Sequence, residues 1–201
     1  MRDSETTKKT IIKESANLFN TKGYKATSIS DITKATGLTK GAIYRHFENK
    51  SDLEEQALRS LSGIMFTQLG TAIRAAKNFR SKMESIFTFF ETYMDSPLYD
   101  GGCPLMNAAV EADDTNPLLR GQAILMLAKF KDAINTLVLN GIRHKQVNTN
   151  VDVRSFSCVV VANLEGGIMM SKLEGNKEAI MISIDHLRNM VDAICLDNNE
   201  N

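Results

Sequence analysis

Tryptophan is absent from the 201 residues, proline and cysteine occur three times each, and aromatic residues make up 6%. Each shortage excludes something. Cys103, Cys158 and Cys195 are odd in number and show no CxxC spacing, which speaks against a disulfide framework or a zinc site. No metal and no cofactor is expected. Pro97, Pro104 and Pro117 all fall mid-chain and leave the remainder free of helix breakers. No run of about 18 apolar residues occurs, which argues against a membrane span. The opening MRDSETTKKT lacks the apolar centre of a signal peptide, so cytoplasm is the default location. Of the three histidines, His144 and His186 have no nucleophile or carboxylate partner at motif spacing. Neither a phosphate-cradling glycine loop nor an HExxH pattern is present. The chain does not read as an enzyme.

Net charge is also missing, since 24 basic residues balance 24 acidic ones. The distribution is uneven. Residues 1–50 hold ten Lys/Arg against five Asp/Glu, a net of +5, and residues 51–201 hold fourteen against nineteen, a net of −5. A basic head on an acidic body is the charge pattern of a nucleic-acid binder, although a 50-residue window can drift this far by chance.

What is present is helical periodicity. Strand patterns are weak, and apolar residues recur at 3.6-residue spacing, which predicts an all-α fold of about nine helices. A first helix runs from about Thr6 to Lys22, with Ile11, Ile12, Ser15, Leu18 and Phe19 on one face and Gly23 as its stop. Ser28 opens a second helix with Asp31 three residues on, a capping-box arrangement. That helix turns Ile29, Ile32 and Ala35 inward and ends at Gly37. Thr39 caps a third helix over 40–47, and Asn49 caps a fourth over about 50–76. Further helices are predicted over about 79–95, 105–112, 117–144, 153–173 and 177–196. Two short helices joined by a glycine-containing turn of about four residues make a helix-turn-helix. The chain divides into a helix-turn-helix head over residues 1–48 and a helical body over 49–201.

In such a unit the second helix offers its N-terminal residues to base edges in the major groove. Thr39 and Lys40 stand at that end, and Gly41 and Ala42 are small enough for close approach to a duplex. Tyr44 follows Lys40 on the same side and can donate its hydroxyl to a phosphate. Arg45 and His46 can reach a phosphate or a base, and Arg can bond guanine bidentately. Thr27 and Ser28 can donate to the backbone, and Lys50 adds a further cation. Ile43 and Phe47 belong to the core. Singly, each polar residue reads as a solvated surface group; jointly they read as a double-stranded DNA site.

The stretch Gly37-Leu38-Thr39-Lys40-Gly41-Ala42-Ile43-Tyr44-Arg45-His46-Phe47-Glu48-Asn49-Lys50-Ser51-Asp52-Leu53 resembles the DNA-binding signature of TetR-family transcriptional regulators. So does Gly23-Tyr24-Lys25-Ala26-Thr27-Ser28-Ile29-Ser30-Asp31-Ile32 before it. The resemblance implies that Thr27, Tyr44 and Lys50 hold phosphates and that Thr39, Lys40, Gly41 and Ala42 read bases. It further implies a homodimeric repressor released from operator DNA by a small-molecule effector. The alternative is a helical ligand-binding or protein-interaction module that does not read DNA.

Two expectations concern the body. Ile180, Ile184, Leu187, Val191 and Ile194 recur at 4-3-4-3 spacing, a seam suited to another helix. With Phe156, Val160, Leu164 and Gly167 of the preceding helix, they are the expected dimer interface; packing inside the protomer is the alternative. The expected effector site comprises Met65, Phe66, Phe90, Met94, Cys103, Met106, Asn107, Met126, Phe130 and Asn163, with Glu111 and Glu165 as further polar candidates. Met suits adaptable pockets, although each of these side chains also suits a core. Cys103 precedes a helix N-terminus, where a thiol pKa can fall and reactivity rise; a packed, inert thiol is the other reading.

Overall fold

The computed structural model describes residues 4–93, 95–112 and 116–196, and Met94, an expected effector contact, lies outside them. Nine helices are present among the described residues: α1 (Ser4–Lys22), α2 (Ile29–Thr36), α3 (Lys40–Tyr44), α4 (Lys50–Ala75), α5 (Phe79–Tyr93), α6 (Pro104–Glu111), α7 (Pro117–Arg143), α8 (Val153–Glu174) and α9 (Glu178–Ile194). The ends fall where local chemistry puts them. Ser28 Oγ accepts from the Asp31 N–H while Asp31 accepts from the Ser28 N–H, completing the capping box. Gly37 closes α2 in the left-handed region at φ 69°, a conformation that costs glycine nothing. Asn49 Oδ1 accepts from the Asp52 N–H at 2.9 Å and opens α4.

Two elements differ from the sequence reading. The third helix stops at Tyr44, with Arg45 as its C-cap, three residues short of the expected end. Arg45 and His46 therefore occupy the turn after the helix. Ala35, expected inward, is exposed, and Ile32 carries the burial of α2.

The chain folds as two compact units. One comprises residues 1–65 and 98–127, so it holds α1 to α3, the first part of α4, α6 and the first part of α7. Its core gathers Ile11, Phe19, Tyr24, Ile32, Ile43, Phe47, Leu53 and Leu58. Phe19 and Tyr24 stack with ring centroids 5.2 Å apart. Burying one large apolar side chain contributes about 1.5–3 kcal/mol, so this set outweighs the polar contacts around it.

The other unit comprises residues 66–97 and 128–201. Here α9 packs on both α8 and α5. Phe90 stacks on Phe130 at 5.7 Å, and Phe66 meets Phe130 edge-on at 6.3 Å. The α5–α9 seam is lined with charge. The Arg188 guanidinium donates to Glu84 at 2.6 Å and 3.1 Å and to Glu91 at 2.6 Å. Those bonds, Glu84 first, hold its pKa above the usual arginine value. Arg80 pairs with Asp192, and Lys177 with Asp95.

Within the single chain, the α8–α9 contact uses the side chains expected at the dimer interface. Phe156, Val160, Leu164, Gly167, Ile180, Ile184, Leu187 and Val191 are all buried, and Ile194 is half-buried, within the single chain. Gly167 lets the helices approach: a Cβ there would lie 2.8 Å from Ile180 Cδ1. The Ile180 N–H donates to Ser171 Oγ at 2.9 Å. Both helices thus spend these stripes on each other. A second stripe of α8 faces outward, with Val159, Met169, Met170 and Leu173 exposed, and Ile182 is exposed on α9. Apolar residues on two faces also make α8 long and apolar enough to cross a membrane, a property that the core helix of a folded protein shares.

Candidate nucleic-acid interface

The reading surface is the product of three local devices. The αL cap at Gly37 turns the chain, Thr39 restarts it with its side chain accepting from the Ala42 N–H at 3.2 Å, and Ile43 locks α3 inward with no exposure. Consequently Thr39, Lys40, Gly41, Tyr44 and Arg45 are exposed, with Ala42 and His46 half-buried beside them. Tyr44 is 40% exposed, and Lys40 Nζ lies 5.8 Å from its ring centroid. A groove of about 350 Å³ runs between α2 and α3, lined by Ile29, Ser30, Thr33, Leu38, Thr39 and Lys40. Seven of the ten residues singled out for DNA binding are therefore exposed or half-buried along α3 and its two flanks. Ser28 is exposed as well, although its hydroxyl is committed to the cap.

Two residues stand elsewhere. Thr27 is fully buried, and its hydroxyl donates to Gly23 O at 2.7 Å. It closes the α1–α2 turn. Lys50 is half-buried; its Nζ donates to Tyr24 O at 2.5 Å and pairs with Glu54 at 3.1 Å. Both placements have one cause. The turn after α1 folds inward and consumes the polar groups flanking it.

Beneath the head lies a network that the sequence reading assigned to an effector. Glu111, at the end of α6, accepts the Tyr24 N–H at 2.9 Å and the Lys25 N–H at 2.8 Å. Asn107 donates to Asn20 Oδ1 at 3.0 Å and to Gly101 O at 3.1 Å, and Asn20 donates to Gly102 O at 2.9 Å. Burial, with Glu54 and Glu111 nearby, pushes the Tyr24 phenol above its ordinary value. Asn107 is thereby engaged in holding α1 to α6. No local signal could have shown this, because the partners lie 87 residues apart.

The other effector candidates fall in both units. Met65, Cys103 and Met126 are buried and Met106 half-buried in the first. In the second, Phe90 and Phe130 are buried, Phe66 is half-buried, and Asn163 donates to Val159 O of its own helix at 2.9 Å. The phenyl rings fill one another's space. Cys103 is a buried thiol at the N-cap of α6.

A helix-turn-helix with a polar, partly cationic outer side, carried on an all-helical body, defines a DNA-binding regulator. Residues 11–57 match the family described as bacterial regulatory proteins, tetR family, and residues 80–187 match the tetracyclin repressor-like C-terminal domain. The chain belongs to the TetR family of transcriptional regulators, a family of regulators and not of enzymes. It is 31% identical to a TetR transcriptional regulator from Chloroflexus aurantiacus J-10-FL, with TM-score 0.91 over 97% of this chain and 98% of that one. A TetR-family regulator from Cytophaga hutchinsonii is 30% identical, with TM-score 0.90 over 98% and 99%. The transcriptional repressor DhaR of Mycobacterium sp. (strain GP1) is 21% identical over 171 residues, 85% of this chain and 84% of the relative.

Proposed function

We propose that the chain is a cytoplasmic, homodimeric repressor whose two heads read operator half-sites and which a small-molecule effector releases. The observation that carries this reading is the joint exposure of Thr39, Lys40, Gly41, Tyr44 and Arg45 around α3, while Ile43 is buried. Residues 1–48 act as the reading head and 49–201 as the body. Tyr44 anchors a phosphate, Thr39 to Ala42 approach base edges, and Arg45 and His46 flank them from the following turn. Thr27 and Lys50 support the head from inside.

One head reads only a few base pairs, so two-fold pairing is required for a specific site. The outward stripe Val159, Ala162, Asn163, Gly166, Met169, Met170 and Leu173 recurs at helical spacing along α8 and suits a second copy of the same helix. A Cβ at Gly166 would meet nothing within 4 Å, so a partner helix can come close there. The effector site draws on Phe66, Phe90 and Phe130 of the second unit, in a state where ligand has parted the packed rings.

Selection from a pool of randomised duplexes, followed by mobility shift, tests the reading. It expects an enriched, roughly two-fold symmetric site whose affinity falls steeply with salt as phosphate contacts release counterions. Failure to enrich any duplex, even at low salt, would refute it.

A further inference from the structure

Between α7 and the first turns of α8 lies a cleft of about 600 Å³, and all of its lining belongs to the second unit. Lys131, Asp132 and Asn135 recur at helical spacing and turn one face of α7 to it. Phe130 is buried on another face of that helix, so the cleft is separate from the cluster of phenyl rings. From the start of α8 come Asp152, its N-cap, and Arg154. Two cations and two carboxylates thus share one opening. Asp152 is already committed: its side chain accepts from the Arg154 and Ser155 N–H groups at 3.1 and 3.0 Å and from Ser155 Oγ at 2.7 Å. Those bonds, Ser155 first, hold its pKa below the usual carboxylate value and keep it ionised. The end of α8 is therefore satisfied from within. Lys131, Asp132 and Arg154 form no salt bridge among the described residues.

Asn135 adds an independent observation. Its Oδ1 is buried and accepts no hydrogen bond among the described residues. A buried acceptor without a donor destabilises a fold and calls for an explanation. Turning the side chain brings this oxygen into the cleft, where the N–H of a ligand can satisfy it. The mixed charges select the kind of ligand. An anion drawn to Arg154 and Lys131 meets Asp132 and Asp152, and a cation meets the converse repulsion. A molecule that carries both signs is attracted at each end.

We propose that this cleft is a second small-molecule site, one for a zwitterion of the amino-acid or dipeptide class. Arg154 takes the carboxylate in its planar donor fork with Lys131 beside it, and Asp132 with the Asn135 oxygen takes the ammonium. The volume leaves room for the side chains of such a ligand. The site goes beyond the operator and effector readings and depends on neither.

The test screens the full-length protein by thermal shift against the proteinogenic amino acids and a set of glycyl dipeptides. The best compound is taken to calorimetry beside its N-acetyl and C-amide derivatives. The free zwitterion should raise the melting temperature, and either blocked form should bind about tenfold more weakly, the effect of losing one charge-assisted hydrogen bond. Arg154→Gln should weaken binding by about the same factor and leave the melting of the ligand-free protein unchanged, because Arg154 is exposed. Asn135→Leu should melt at or above the wild type without ligand, since it removes the orphaned acceptor, and should lose the ligand-induced shift. A screen in which no compound shifts the protein would overturn the proposal, as would undiminished binding of a blocked form or wild-type binding by Asn135→Leu. An Asn135→Leu protein that melts well below the wild type would overturn it too, by making Asn135 a support of the fold.

Discussion

Two helical glycines should respond oppositely to the same substitution. Gly63 lies inside α4 with nothing within 4 Å of where a Cβ would be. Gly63→Ala therefore gains helix propensity alone, about 1 kcal/mol. Gly167 lies inside α8, and a Cβ there would meet Ile180 Cδ1 at 2.8 Å, Ser183 Oγ at 3.0 Å and Ile180 Cα at 3.1 Å. The first two neighbours can rotate aside. The third is backbone, so α9 itself must move. Overpacking of this kind costs about 1–3 kcal/mol, which cancels or exceeds the same propensity gain. The expected difference between the two variants is about 2 kcal/mol, or roughly 4–8 °C in melting temperature for a chain of this size. Thermal unfolding followed by circular dichroism measures it, at one fixed protomer concentration because association shifts the apparent midpoint. If Gly167→Ala melts at or above Gly63→Ala, the close α8–α9 crossing is not what stabilises this unit.

Three further outcomes follow from the same structure. Met169→Glu or Met170→Glu places charge on the outward stripe of α8 and should yield a folded monomer in sedimentation, whereas an intact dimer would exclude that stripe as the interface. Tyr44→Phe removes one exposed hydroxyl and should weaken operator binding about fivefold, the worth of one ordinary hydrogen bond, with helix content unchanged; unchanged affinity would remove Tyr44 from the phosphate contacts. Asp31 is held well below the usual carboxylate value of 3.8 by the Ser28 hydroxyl first, then the Ser28 N–H and Lys22. A lowered folded-state pKa gives stability that is present above the unfolded value and lost as pH falls toward the folded one. Asp31→Asn should therefore lower melting temperature at pH 7 and flatten its decline below about pH 4. An acid limb as steep as the wild type's would show that Asp31 contributes nothing.

The sequence by itself determined what depends on neighbours within one or two turns of chain. Helix number and boundaries followed from period and caps: Ser28 with Asp31, Gly37 in the αL region, Thr39, and Asn49 with Asp52 all act where local chemistry placed them. The outward side of the head was legible for the same reason. Once Ile32 and Ile43 are assigned inward, Lys40 and Tyr44 have only solvent to face. The helix after Thr39 stopped early because no local signal distinguishes a fourth turn residue from a second helical turn.

Tertiary structure alone decided everything that turns on partners distant in sequence. Thr27 and Lys50 carry the residue types of phosphate contacts, yet the fold directs them to Gly23 O and Tyr24 O. Asn107 and Glu111 look like ligand-orienting groups, yet they hold backbone and side chains of the head that lie more than eighty positions away. The apolar seam of α9 was legible as a seam, and within the chain it packs on α8. Periodicity establishes that a stripe must be buried and cannot name what buries it. The partner is chosen by three-dimensional proximity, and here α8 of the same chain covers that seam.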